Sequence, residues 1–202
     1  MSLRRILLVR HGETDGESSV RYHGSGDVDL SAEGRRQMQR VARRLGHERE
    51  DLYLASNLRR SWHGAALLAK GAPVRIEADF REIDFGRFEG KTREEIQAAE
   101  PVAYEQWQSG AEGFEYPDGE ARADFEARIR SALERVLAAP GHSAVAVLHK
   151  GVIREIVRQL TGSAPEQPEP ELGGSIWLVR EPDGSWRRGL HSSDPPGLGQ
   201  AA

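Results

Sequence analysis

The hydrophobic pattern opens on a short, nearly continuous apolar run, Arg4 to Val9, that shows no helical spacing. Such a run reads as a strand buried on both faces of a parallel sheet, and its end delivers Arg10 and His11 to a loop. From Ser31 the period changes. Met38, Val41, Ala42 and Leu45 recur at helical steps, which predicts an amphipathic helix with Ser31 as N-cap and Gly46 as C-terminal stop. Leu52 to Ala55 predicts a second strand, about 57 to 70 a helix, and Val74 to Glu77 a shorter extended piece. Between Asp79 and Gly119 the pattern is irregular, punctuated by Gly86, Gly90, Gly110, Gly113 and Pro117-Asp118-Gly119. It predicts a long excursion over a cleft, with one short helix capped by Thr92 and Glu95.

Regular spacing returns with Phe125, Ile129, Leu133, Val136 and Leu137, the core face of a helix from about Ala121 to Ala138. Ala144 to Leu148 reads as another buried strand, which delivers His149 to a loop before a helix from Val152 to Leu160. The stretch from Gly162 to Gly174 is rich in Pro and Glu and reads as a solvated connection. Ile176 to Arg180 and Trp186 to Leu190 predict a hairpin around Asp183-Gly184. No internal repeat is visible. Alternating strands and helices predict an α/β three-layer sandwich, a mostly parallel central sheet with helices on both faces and some antiparallel pairing. A single domain is expected over 1–191, followed by a loose tail over 192–202.

Composition narrows the function classes. The 202 residues fit one domain with a substantial core. Lys and Arg number 28 against 32 Asp and Glu, a formal net charge of -4, so no overall basic field gathers nucleic acid or an anionic membrane surface. The absence of cysteine removes disulfides, thiolate metal sites and cysteine nucleophiles, and suits a reducing cytoplasm, the compartment expected here. Ile6 to Val9 is too short for a signal-peptide core or a membrane span, so a soluble protein beginning near Met1 is expected. Nothing in the sequence speaks to oligomeric state.

In sheets of this class ligands bind beyond the carboxyl ends of the strands, where His11 and His149 are both delivered. His11 lies in Arg10-His11-Gly12-Glu13-Thr14. Downstream come Ser56-Asn57-Leu58-Arg59-Arg60-Ser61, the acidic stretch Glu82 to Gly90, and Val147-Leu148-His149. These four motifs, in this order, resemble the histidine phosphatase superfamily, also called the phosphoglycerate mutase-like family. The resemblance spans most of the chain and implies that family's fold and metal-independent phosphoryl transfer on a small phosphorylated metabolite, without a cofactor. It also implies His11 as the nucleophile that forms a phosphohistidine, and Glu82 as the general acid. Arg10, Arg60 and His149 would bind the phosphoryl group.

The chemistry asks for the same residue types independently. Phosphoryl transfer needs an in-line nucleophile, positive charge around three equatorial oxygens and a proton for the leaving alkoxide. A neutral imidazole is nucleophilic, and an ordinary imidazole pKa of about 6.5 leaves much of it neutral at physiological pH. Arginine offers a permanently charged planar fork that matches phosphate. The family spacing Ser-x-Leu-x-Arg falls on Arg60, which leaves Arg59 as a solvated surface charge. His149 is expected to donate to the phosphoryl group while protonated. A carboxyl shielded by neighbouring apolar groups can hold a proton near neutral pH. On chemistry alone Asp84 and Glu89 compete with Glu82 for that role. Arg21 and His23, in Val20 to Gly24, are candidates for touching substrate, and Arg21 reads equally well as an ordinary loop arginine.

The chain departs from the family at three places. Gly16-Glu17 stands where members often carry Trp-Asn, and Lys150 follows His149 where glycine is usual, bringing a cation to the pocket. Pro117-Asp118-Gly119-Glu120-Ala121 replaces a Gly-Gly-Glu-Ser-like stretch. The other histidines, His47, His63, His142 and His191, show no metal-ligand spacing, so no metal is expected. Three classes compete: a phosphomonoesterase, a phosphoglycerate mutase and a non-catalytic phospholigand-binding protein. Mutases of the family are typically longer and their acidic loop usually reads Glu-Arg-His-Tyr-Gly. Glu82-Ile83-Asp84-Phe85-Gly86 reads differently, and 79–119 carries no Arg-Arg pair or proline run, which favours the phosphatase. Phe85, Phe88, Trp107, Phe114 and Tyr116 either line a partly apolar cleft or pack beneath the excursion.

Overall fold

Among the described residues six strands pair into one mixed sheet: β1 (Arg5–Arg10), β2 (Leu52–Ala55), β3 (Val74–Ile76), β4 (Ser143–Leu148), β5 (Ser175–Arg180) and β6 (Trp186–Arg188). The order is β3-β2-β4-β1-β5-β6, with β3, β2, β4 and β1 parallel and β5 antiparallel to both β1 and β6. The computed structural model describes residues 3–46, 49–163 and 170–189. The expected tail, His47, Leu190 and His191 lie outside these residues, as does part of the connection after Gly162. No helix among the described residues is long and apolar enough to cross a membrane.

The described residues also form six α-helices: α1 (Ala32–Arg44), α2 (Arg59–Ala69), α3 (Arg93–Ala99), α4 (Pro101–Ser109), α5 (Arg122–Leu137) and α6 (Lys150–Thr161). The period-two geometry of β1 explains why its apolar run is continuous. Ile6 and Leu8 face a core completed by Ile129 and Leu133 of α5 and Ile153 and Ile156 of α6. Leu7 and Val9 face a second core completed by Met38 and Val41 of α1 and Ala65 and Leu68 of α2. β4, sandwiched in the same way, is buried at every position. The three-layer α/β architecture read from the pattern is the one observed.

Register then places the functional edge. Arg10 pairs with Leu148, and Ala55 with Val147, so the carboxyl ends of β1, β4 and β2 lie side by side. Ser31 caps α1 by accepting from the Gly34 N–H at 3.0 Å, and Gly46 ends it in the left-handed region at φ 72°.

The excursion differs from expectation. Besides α3, whose capping box of Thr92 and Glu95 is present, it contains α4 and two 3-10 turns at 78–80 and 86–88. Pro101 opens α4, where its fixed φ suits the first helical position. No residue of α4 is buried, so it offers no apolar stripe for periodicity to reveal. α6 begins two residues earlier than expected, with His149 itself as N-cap.

The loop after β1 crosses the first turn of α1 at contact distance. A Cβ on Gly34 would sit 1.9 Å from the Glu13 carbonyl oxygen, and one on Gly12 would sit 2.4 Å from the Gly34 carbonyl oxygen. Glycine to alanine within a helix ordinarily gains about 1 kcal/mol. At Gly34 the sign should reverse: Gly34→Ala is expected to lose about 1–3 kcal/mol by overpacking, measured as a lowered urea midpoint. A raised midpoint would show that the contact relaxes freely.

Candidate active site

His11 is the first residue beyond β1, buried, with its backbone N–H donating to the Leu148 carbonyl at 2.9 Å. Its Nδ1 lies 2.8 Å from the Gly12 carbonyl oxygen. A carbonyl can only accept, so Nδ1 carries the proton and Nε2 keeps its lone pair. Burial holds the His11 pKa well below the ordinary imidazole value, aided by the charges of Arg60 and Arg10 and opposed by the Gly12 bond. The imidazole is therefore neutral at physiological pH.

His149 is the first residue beyond β4 and is fully buried, with its ring centroid 5.3 Å from that of His11. Its Nε2 lies 2.8 Å from Ser56 Oγ, and its Nδ1 has no hydrogen-bond partner among the described residues. Burial, then Arg60 and His11, push its pKa well below the ordinary value. With no phosphoryl anion beside it the ring is thus held toward its neutral form, which offers one N–H.

Arg60, on the first turn of α2, is fully buried. Nη1 donates to the Gly26 carbonyl at 2.7 Å, and Nη2 to those of Gly24 at 2.7 Å and His23 at 3.1 Å. The guanidinium thus gathers the 23–26 loop around itself, while its buried Nε has no hydrogen-bond partner among the described residues. Glu89 fastens the same loop from its amides, accepting from Gly24, Ser25 and Phe85. Asp84 accepts from Gly86 N–H within its own turn. Both carboxylates hold backbone.

Glu82 is buried at the back of the site. It accepts from the N–H groups of Ile83 and Gly151, each at 3.0 Å. Burial raises its pKa, and this outweighs the two backbone bonds and the charges of Arg60 and Arg10, which act the other way. A Cβ on Gly151 would sit 2.5 Å from Glu82 Oε1, so any larger residue there would push the carboxyl aside.

Arg10, His11 and Glu82 share the wall of a cavity of about 440 Å³ with Arg21, His23 and Lys150. Arg60 and His149 lie outside that wall, fully buried. Arg21 pairs with Glu17 at 3.2 Å and Glu95 at 2.7 Å and donates to the Gly90 carbonyl, so it ties the cavity lip to the excursion. His23 Nε2 lies 2.5 Å from the Gly16 carbonyl oxygen. Arg59 is exposed and pairs with Asp27. Of the aromatic residues, Phe85, Trp107 and Tyr116 line the cavity, whereas Phe88 is buried and Phe114 packs against it.

Sequence reasoning missed Arg128. Its guanidinium donates to the carbonyls of Asp79, Arg81 and Glu82 and pairs with Glu120 at 2.6 Å, fixing the backbone that carries Glu82. The signal was a charged residue three positions beyond Phe125 and next to Ile129, against the apolar face of α5. Among the described residues no group of three or more His, Cys, Asp or Glu side chains is placed to hold a metal ion.

A sequence profile described as the histidine phosphatase superfamily (branch 1) matches residues 6–184. The chain is 32% identical over 185 residues to a glucosyl-3-phosphoglycerate phosphatase of Mycobacterium tuberculosis, covering 86% of this chain and 82% of that protein. It is 30% identical over 164 residues to a probable phosphoglycerate mutase of Yersinia enterocolitica, covering 80% and 76%. A solved structure of mycobacterial glucosyl-3-phosphoglycerate phosphatase in complex with VO3 superposes with a TM-score of 0.80 at 28% identity, covering 95% of this chain and all of that one (100%).

The two depressed histidine pKa values have a consequence for stability. The unfolded chain binds protons near an ordinary value of about 6.5 that the folded chain refuses, so this contribution is complete above that pH and is lost as pH falls below it. Glu82, with its raised pKa, acts oppositely: it stabilises below its unfolded value and loses that contribution as pH rises through its folded one. The unfolding free energy from urea titration should therefore drop between about pH 6.5 and about pH 5, by up to about 1.4 kcal/mol per pH unit for each histidine. His149→Gln should flatten that slope whatever its effect on stability at neutral pH; an unchanged slope would contradict the assignment.

Proposed function

We propose that this chain, which belongs to the histidine phosphatase superfamily, is a metal-independent phosphatase that hydrolyses small phosphomonoesters through a phosphohistidine on His11. The observation that carries the reading is one cavity wall holding a neutral imidazole, its Nδ1 proton committed to Gly12, beside a buried carboxyl of raised pKa. Burial that favours the neutral form of each suits the two groups to opposite roles, a free lone pair for the nucleophile and a retained proton for the acid.

His11 Nε2 attacks phosphorus as the ester P–O bond breaks, and Glu82 passes its proton to the departing oxygen. Arg10, Arg60 through Nε, and the N–H of His149 oppose the charge on the equatorial oxygens. In the second half Glu82, now a carboxylate, takes a proton from water as that water attacks phosphorus. The P–N bond breaks, its electron pair returns to Nε2, and phosphate leaves. The relatives' phosphatase names and the non-mutase reading of the acidic loop support release to water over return to a bound acid. The same names support a phosphorylated metabolite as substrate.

A panel of phosphorylated metabolites assayed without added metal should release phosphate faster than it interconverts 2- and 3-phosphoglycerate, even with the bisphosphate primer present. His11→Ala should abolish both release and the acid-labile phosphoryl label seen in the wild type. Label that persists in His11→Ala, or faster interconversion than release, would overturn the reading.

Glu82→Gln should lower kcat/KM, which reports the steps up to phosphoenzyme formation, by about a hundredfold or more for alkyl phosphates, while aryl phosphates, whose phenolate leaves unaided, lose little in kcat/KM. Because its pKa is raised, Glu82 should also give alkyl substrates a fall in kcat/KM above the ordinary carboxyl range, absent from aryl substrates. Equal losses for both substrate classes would return Asp84 and Glu89 to consideration.

A further inference from the structure

His149 is fully buried and held toward its neutral form, so its ring has one proton to place on either Nδ1 or Nε2. Which nitrogen carries it decides whether the ring shows its site a donor or a lone pair. The neighbour that settles the choice is Ser56, the first residue beyond β2. Ser56 is itself fully buried, and its Oγ lies 2.8 Å from His149 Nε2.

The direction of that bond follows from where the hydroxyl proton can go. Ser56 Oγ accepts from the Leu58 N–H at 3.2 Å, and among the described residues its own proton finds one acceptor, His149 Nε2. If Ser56 donates, the ring proton sits on Nδ1, and that Nδ1–H is the one group of the pair left without a partner. If Nε2 carried the proton and donated instead, the hydroxyl proton and the Nδ1 lone pair would both be buried unmet. Each such group costs its desolvation, so the first arrangement prevails.

The surroundings hold the hydroxyl in place. Ser56 N–H donates to Ser61 Oγ at 2.8 Å, and Ser61 Oγ donates to the Val147 carbonyl at 2.6 Å, which ties Ser56 to the strand that delivers His149. Ser61 is thereby committed to backbone and leaves Ser56 to the imidazole. Arg60, His11 and Arg10 are near enough for their charges to act on the same ring. The unmet Nδ1–H thus belongs to a group of donors that suits an oxygen-rich anion, and Arg60 Nε is likewise buried without a hydrogen-bond partner among the described residues.

We infer that Ser56 is a positioning residue: its hydroxyl donates to His149 Nε2 and fixes the ring as the Nδ1–H tautomer, so that Nδ1–H is the donor offered to a phosphoryl oxygen. The tautomer stands on the hydrogen bonds, whereas the task given to its N–H rests on the phosphatase reading above. The two histidines then share one tautomer and show opposite ends of it. At His11 a carbonyl takes the Nδ1 proton and leaves a lone pair for attack; at His149 a hydroxyl fills the Nε2 lone pair and leaves a proton for binding.

Long-range nitrogen–proton NMR correlation spectra of the isotope-labelled, unliganded protein at mildly alkaline pH separate a protonated ring nitrogen from one that holds a lone pair. The His149 signals are those missing from His149→Gln. They should show Nδ1 protonated and Nε2 bare in the wild type and in Ser56→Thr, which keeps the hydroxyl, and a pattern averaged over both tautomers in Ser56→Ala. Orthovanadate, a mimic of the transferring phosphoryl group, should bind Ser56→Ala about tenfold or more weakly than it binds the wild type, and Ser56→Thr should recover most of that loss. Nε2 protonated in the wild type, wholly or in part, or an Nδ1–H pattern that Ser56→Ala leaves unchanged, would overturn the inference and leave the phosphatase reading standing. An altered Ser56→Ala spectrum with unchanged vanadate affinity would overturn the donor role. A wild type with the expected spectrum that neither binds vanadate nor forms the phosphoryl label would overturn the phosphatase reading while the tautomer stands. The wild-type spectrum decides the tautomer even if neither variant folds.

Discussion

A guanidinium with no solvent exposure is the constraint around which the rest of this site is arranged. Taking the Arg60 charge out of water costs several kcal/mol before compensation. The chain offsets this by bending the 23–26 loop until three carbonyls point at it, and by keeping Glu89 and Asp27 near enough to oppose its charge. The same charge then acts on whatever lies nearby. It lowers the pKa of both His11 and His149 and opposes the rise in that of Glu82. Loop conformation and proton inventory are two results of one buried cation.

Burial of Glu82 works against that cation and prevails, because a carboxylate enclosed by Ile83, Phe85 and the start of α6 has lost more solvation than two amides restore. Acid and base thus come from a single enclosure, since burial favours the neutral form of each. What separates their roles is hydrogen-bond direction: a carbonyl at His11 leaves a lone pair, whereas a carboxyl kept neutral by its surroundings retains a proton.

Much of this was legible in the sequence, and the reasons are local. β1 and β4 announce themselves because both faces are buried, α1 and α5 because one face is, and the two histidines follow because each sits one residue past a strand end. Motif order located Arg60, yet its backbone partners lie 34 to 37 residues away in a loop without periodicity, so its role in shaping that loop could not be read. Helix α4 escaped because none of its residues is fully buried, and Arg128 because, apart from Glu120, its partners are carbonyls, which leave no trace in residue identity. The complete burial of His149 could not be read for a related reason: the type of a side chain is written in the sequence, but the depth of its burial is a property of the assembled sheet.

The absence of a Cβ at Gly151 couples two properties that could otherwise drift apart. Helix α6 begins in contact with Glu82, and the same helix carries Lys150 and Arg154 on the cavity wall. A sequence change that slides or tilts α6 to suit a new leaving group must therefore also move the amide that holds the acid. Change along this lineage should be strongly epistatic at α6, with side-chain exchanges on a fixed helix tolerated and backbone shifts selected against. New preferences would then arise first from the lip and the excursion, whose contacts with the acid are less direct.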